Sequence, residues 1–252
     1  MRQTRLMMGM PVTVDIVDVT ATAQPKVGTA ALNAVFDYFQ YVDDKFSTYK
    51  PDSEITRINE HKLKLKNASP DMKQVFILAE QTKQETNGFF DIERGGRYDP
   101  SGLVKGWAIY NAAQLLWDRG FGNFYVEAGG DIQVSGKNAE GQDWRIGIRN
   151  PFNMDEIVKV VTVSGDGVAT SGTYIRGQHI YNPKILGPLE TDILSLTVIG
   201  PNIYEADRFA TAAFAMGHDG IRFIEQLDGF EGYMIDQKGL ATLTSGFERY
   251  VS

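Results

Sequence analysis

Two glycine-marked turns bracket one apolar helical pattern between residues 99 and 136, and this arrangement constrains the fold more than any other part of the chain. Gly102, Gly106, Gly129 and Gly130 carry no Cβ, so the backbone there is free to take positive φ or to lie close against a large polar ligand. Between the turns, Val104, Trp107, Ala108, Leu115, Leu116 and Trp117 recur at near-helical spacing and predict an amphipathic helix. NFYVEA at 123–128 then reads as a strand, closed by Gly129, Gly130 and Asp131.

The flanking sequence divides into helical and strand-like blocks without a low-complexity linker. Residues 4–19 alternate weakly and predict one strand. Leu32, Val35, Phe36, Phe39 and Val42 form a helical stripe over 29–45, and Met72, Val75, Phe76 and Ala79 form another over 71–86. The second half is richer in β-branched residues, with strands expected at 143–149, 157–163 and 193–199. Asn150-Pro151 and SGDG at 164–167 punctuate these runs. Helices over 203–216 and 220–227 precede two closing strands near Tyr233 and Leu243. Because strands and helices do not strictly alternate, the class is α+β, with mixed or antiparallel sheets and flanking helices.

At 252 residues the chain is long enough to bury a substantial core. Its formal charge of −7, with no basic run, excludes general nucleic-acid binding. The absence of cysteine excludes disulfide scaffolds, thiolate zinc sites and cysteine nucleophiles. No stretch approaches the roughly 20 apolar residues of a transmembrane span. With no leader visible, the sequence reads as cytoplasmic; a leader removed in maturation would make it periplasmic or membrane-anchored.

Two groups of residues suggest chemistry. Asp207 and Thr211 stand four apart in a strongly helical block, which directs both oxygens from one helix face. Magnesium takes such hard oxygen donors and keeps other positions for water or phosphate, although a solvated face or helix cap also fits the spacing. His179 is the candidate general base, because histidine as a residue type can take a proton from a hydroxyl nucleophile near neutral pH, and a structural histidine fits its surroundings equally. His61, in a lysine-rich polar stretch, and His218, after a helix end, read as surface residues.

The segment DPSGLVKGWA at 99–108 and the Gly-Gly-Asp strand end at 129–131 resemble the FAD:protein FMN transferase (ApbE) family. Further family-like segments occur in the family's order: LMMGMPVTV at 6–14, FSTY at 46–49, DSEITRIN at 52–59, NGFFD at 87–91, ATSGTY at 169–174, QHIYNP at 178–183 and ADRFAT at 206–211. The resemblance covers nearly the whole chain. It implies an ApbE-like (T-fold-like) architecture, either as one domain over 1–252 or as two sub-lobes with the FAD site between them.

The same resemblance implies magnesium-dependent transfer of FMN from FAD to a Ser or Thr hydroxyl of an acceptor protein, with release of AMP. It carries the metal ligands onto Asp207, Thr211 and the carbonyl of Gly102, and the general base onto His179. FAD contacts fall on Met8, Tyr49, Gly88, Phe89, Phe90, Asp91, Gly130 and Asp131, with Lys105 as a further positive charge. No G-x-G-x-x-G follows the first strand, so a Rossmann flavoprotein is not expected. The chain departs from the family pattern at Tyr110, where an acidic residue is frequent, and at Asn182, Ile185 and Leu186, in place of Asp, Thr and Gly, unless a one-residue insertion brings Gly187 into the glycine position. The altered loop leaves a non-catalytic FAD-binding protein as an alternative, and water in place of the acceptor hydroxyl would make an FAD hydrolase giving FMN and AMP.

Overall fold

The computed structural model describes residues 1–18, 23–173, 180–185 and 189–251. The strands are β1 (Arg2–Met7), β2 (Met10–Ile16), β3 (Glu93–Arg94), β4 (Arg97–Tyr98), β5 (Phe124–Ala128), β6 (Asp131–Ser135), β7 (Trp144–Asn150), β8 (Asn153–Val163), β9 (Gly167–Gly172), β10 (Ile193–Gly200), β11 (Glu231–Asp236) and β12 (Ala241–Leu243). The helices are α1 (Pro25–Phe46), α2 (Glu54–Asn59), α3 (Pro70–Glu85), α4 (Ser101–Trp117), α5 (Ile203–Ala215) and α6 (Asp219–Glu225). Among the described residues, one eight-stranded sheet runs in the order β1-β2-β5-β6-β9-β10-β11-β12, while β3-β4 and β7-β8 form separate hairpins. Every pairing in the large sheet is antiparallel.

The two faces of this sheet bury different cores. Val12, Val14 and Ile16 of β2, with Phe124 and Val126 of β5, point toward the helices. Ile132 and Val134 of β6, with Tyr233 and Ile235 of β11, point to the opposite side, where Ile146, Ile148, Val161 and Val163 of the β7-β8 hairpin cover them. This is the two-residue alternation of a pleated strand, applied to a sheet covered on both sides.

The expected strand over 4–19 is a hairpin. Met8 and Gly9 both take positive φ, 52° and 72°, and reverse the chain between β1 and β2. Methionine is not a residue that announces such a turn, so the alternation reads through it. A second tight turn, Gly129-Gly130 with φ of 59° and 97°, joins β5 to β6, so Asp131 opens a new strand. The helix expected to be amphipathic is instead buried on most sides, from Leu103 through Ile109 and again at Ala112, Ala113 and Leu116. It lies between α1 and α5, and it also packs on β5 and β6.

Its contact with α5 is close because α4 presents glycine there. A Cβ on Gly106 would stand 2.6 Å from the Asp207 Cβ and 2.8 Å from the Ile203 carbonyl oxygen. One turn earlier, a Cβ on Gly102 would stand 3.1 Å from Thr211 Cγ2. The start of α5 is fixed from the sheet. Buried Gln133 accepts the Ile203 N–H on Oε1 at 2.8 Å and donates from Nε2 to the Val134 and Gly165 carbonyls, each at 2.9 Å. Asn202 caps the same end by accepting the Glu205 N–H at 3.0 Å.

Gly106→Ala should lower stability by about 1–3 kcal/mol, the usual cost of overpacking, because backbone lies on one side of the new methyl. Gln133→Leu should cost about 1–3 kcal/mol, since it strands the buried Ile203 N–H. Urea unfolding of each variant measures both.

Candidate active site

A cleft, partly open to solvent, lies where the first turns of α4 meet α5. Its walls come from the 89–91 turn, from Asp99, Ser101, Gly102 and Lys105, from Gly129, and from Thr170, Ser171 and Gly172 at the end of β9. Ile180, Tyr181 and Pro183 close another side, and Asp207 and Thr211 form the floor. Helix periodicity places the last two side by side, as their spacing implies.

At the floor, the Gly106 N–H donates to Asp207 Oδ2 at 2.8 Å. Thr211 Oγ1 donates to the Gly102 carbonyl at 3.3 Å. Lys105 Nζ stands 2.5 Å from Asp131 Oδ2 and 3.6 Å from Asp207 Oδ1, and all three side chains are buried. Asp131 also accepts the Thr170 N–H at 3.0 Å, which ties the start of β6 to β9. Removal from water pushes the Asp207 carboxyl up to about 7; Lys105 and the Gly106 N–H oppose this rise, and Asp131 adds to it.

The donor set fits a hard divalent cation. A carboxylate, a hydroxyl and a main-chain carbonyl are oxygen donors of the type magnesium accepts, and a set this small leaves positions for phosphate oxygens or water. Among the described residues, no group of three or more His, Cys, Asp or Glu could hold a metal by itself. The raised Asp207 pKa is consistent with this, because a carboxylate buried beside another carboxylate is stabilised by added positive charge.

Of the residues singled out in the sequence, Phe89, Phe90, Asp91, Gly102, Lys105, Asp207 and Thr211 line this cleft. Gly88 is the positive-φ turn residue before Phe89, and Asp131 reaches the site through Lys105. Gly130 adjoins the lining Gly129, and its N–H is taken by Glu127 Oε1 at 2.8 Å. Met8 and Tyr49 are not lining residues: Met8 packs against the helix-side core, and Tyr49 is 96% exposed in the turn after α1. His179 and Leu186 lie outside the described residues. Tyr110 packs its ring edge against Trp117, 6.2 Å between centroids, so it occupies core space and not the cleft.

Sequence reasoning did not assign roles to Ser101, Thr170, Ser171, Ile180, Tyr181 or Pro183, although each lines the cleft. Several sit inside the family-like segments, and this was the available signal. Asn182 sits in a polar turn, accepting the Lys184 N–H on its side chain at 2.9 Å and the Ile185 N–H on its carbonyl at 3.2 Å. An aspartate would make the same turn, so the substitution keeps the loop shape and removes a charge. Ile185 is about half exposed, at 48%.

Known proteins resemble this chain in sequence and in fold. The FAD:protein FMN transferase of Salmonella typhimurium is 30% identical over 163 residues, which is 61% of this chain and 45% of that protein. The Escherichia coli K12 protein of the same description is 31% identical over 150 residues, 56% of this chain and 43% of that protein. The match thus spans about half the length of these curated relatives. The flavin transferase ApbE of Vibrio cholerae superposes with a TM-score of 0.82 at 22% identity, covering 99% of this chain and 98% of that one. The ApbE protein of Thermotoga maritima gives 0.86 at 20% identity, covering 100% and 99%. These structures establish that the antiparallel sheet with its flanking helices is the ApbE fold. The family model described as the ApbE family matches residues 8–98 and 93–234, and with that match the chain belongs to the ApbE family.

Proposed function

We propose that the protein transfers FMN from FAD to a Ser or Thr hydroxyl of an acceptor protein, releasing AMP. The observation that carries this reading is the convergence of the Asp207 carboxylate, the Thr211 hydroxyl and the Gly102 carbonyl beside Lys105 in one cleft. The relatives described as FAD:protein FMN transferases support the substrate pair.

In this reading the acceptor oxygen bonds to the phosphorus on the FMN side of the diphosphate. The bridging P–O bond breaks, and AMP leaves with the bridging oxygen. His179 takes the hydroxyl proton. Asp207, Thr211 and Gly102 would hold a magnesium ion, which supplies charge neutralisation for the diphosphate. Lys105, held by Asp131, adds a fixed positive charge to the same wall and needs little reorganisation to do so. Gly102 and Gly129 keep the backbone low where a dinucleotide must pass.

Incubation with FAD, magnesium and an acceptor domain bearing a flavinylation motif tests the reading directly. AMP together with an acceptor heavier by FMN is the expected outcome. Unchanged FAD would instead identify a flavin-binding protein, and free FMN with unmodified acceptor would identify a hydrolase. His179→Ala should retain FAD binding, measured by flavin fluorescence, while transfer falls by about a hundredfold or more.

Asp207 also predicts a pH dependence. Its folded-state pKa of about 7 lies above the ordinary aspartate value of 3.8, so the native protein binds more protons between those values than the unfolded chain does. This group's contribution to stability therefore declines as pH rises from about 4 to about 7 in the metal-free protein. Metal competes with that proton, so affinity for magnesium should rise up to about tenfold per pH unit below about 7 and level off above it. Asp207→Asn should remove magnesium binding and flatten this component of the pH–stability profile, read by urea unfolding in chelator and by calorimetric titration.

A further inference from the structure

The cleft presents a charge problem to its own substrate. Among the described residues that line it, Asp91, Asp99 and Asp207 are acidic and Lys105 is basic; Asp131 engages Lys105, and Lys83 pairs with Asp91. A diphosphate entering the cleft passes close to these carboxylates, and like charges at short range oppose its approach.

Among the described residues, two cations stand over aromatic rings of the cleft wall. Lys184 Nζ lies 3.9 Å from the centre of the Phe89 ring, and Arg94 Cζ lies 4.6 Å from the centre of the Tyr181 ring. Both rings line the cleft. The rings are themselves held: the Tyr181 hydroxyl donates to the Asp91 carbonyl at 2.5 Å, and Phe89 succeeds the Gly88 turn. The Asn182 turn directs Lys184, whose stem runs within 3.5 Å of where a Gly88 Cβ would be. Among the described residues, neither Lys184 nor Arg94 has an acidic partner, whereas neighbouring Lys83 is taken by Asp91 at 2.6 Å. Arg94 also faces Arg97 across the β3-β4 hairpin, a like-charge pair that an anion would relieve.

We propose that Lys184 and Arg94, poised over Phe89 and Tyr181, form an anion-receiving rim that binds the diphosphate of the incoming dinucleotide before it reaches the cleft floor. The proposal rests on FAD being the substrate. A cation over an aromatic face keeps its outer side available, so each group can meet a phosphate oxygen without first breaking an ion pair. The rim is specific to phosphate-bearing flavins, because riboflavin offers it no charge. It also gives the Asn182-Pro183-Lys184 turn, where the chain departs from the family pattern, a positive role: the turn loses an acidic residue and carries a lysine at the entrance.

The test is equilibrium binding in chelator, comparing wild type with the Lys184→Met/Arg94→Met variant, which keeps the aliphatic stems. Thermal unfolding first shows that the variant is folded, and Lys184→Met alone serves if the double variant is not. FAD should bind the double variant about tenfold more weakly at low ionic strength, and the gap should shrink as salt is raised. Riboflavin should bind both proteins equally, and inorganic pyrophosphate should displace FAD more readily from wild type. Equal FAD affinity in the two proteins, or an equal loss for riboflavin, overturns the rim. Salt-sensitive FAD binding without transfer would overturn the transferase reading and leave the rim standing; no FAD binding by wild type would overturn both.

Discussion

The close crossing of α4 and α5 is the contact on which the site depends. Gly102 and Gly106 on one helix face Thr211 and Asp207 on the other, with one helical turn between the two contacts. Because the glycines remove two Cβ atoms from the interface, backbone polar groups of α4 reach side chains of α5 directly. The Gly106 N–H thus meets a carboxylate, and the Gly102 carbonyl meets a hydroxyl. The fold supports this crossing from both ends, with Gln133 of the sheet gripping the start of α5 and α1 packing behind α4.

Burial then gives the site its electrostatic character. Asp131, Asp207 and Lys105 would be ordinary solvated groups on a surface helix, and here all are nearly inaccessible to water. Within this group one ammonium is shared unequally between two carboxylates, at 2.5 and 3.6 Å. Asp207, the carboxylate farther from the ammonium, is displaced toward protonation by its burial. A site with unmet demand for positive charge is suited to a cation that arrives with, or ahead of, a phosphate-bearing substrate.

The main helices were legible because their stripes are unambiguous: Leu32, Val35, Phe36, Phe39 and Val42 all become core on α1. Other elements were obscured for identifiable reasons. The β1-β2 turn is made by Met8 and Gly9, a pair without the usual Asn or Asp signal. Strand β6 begins Asp131-Ile132-Gln133, and its buried polar residues make sense only through partners on β9 and α5 that are distant in sequence. Helix α4 reads as amphipathic because Lys105 and Gly106 interrupt its apolar run, yet the lysine is buried through its ion pair. Family-like segments located most of the cleft, although the exposed Tyr49 shows that belonging to such a segment does not place a side chain in the wall.

The glycine at 106 also couples two properties that proteins often vary independently. Any larger residue there collides with the Cβ of Asp207 and with the main chain of Ile203. Shortening the residue at 207 would make room, and it would also delete the carboxylate. No pair of exchanges at these two positions can enlarge the one and keep the acid of the other, so drift at the helix contact is closed off by the chemistry of the floor. The same atoms that let the helices approach fix which functional group can stand between them. Sequence change is left to the rim, where Asn182 and Ile185 already differ from the family pattern in identity, with the turn intact.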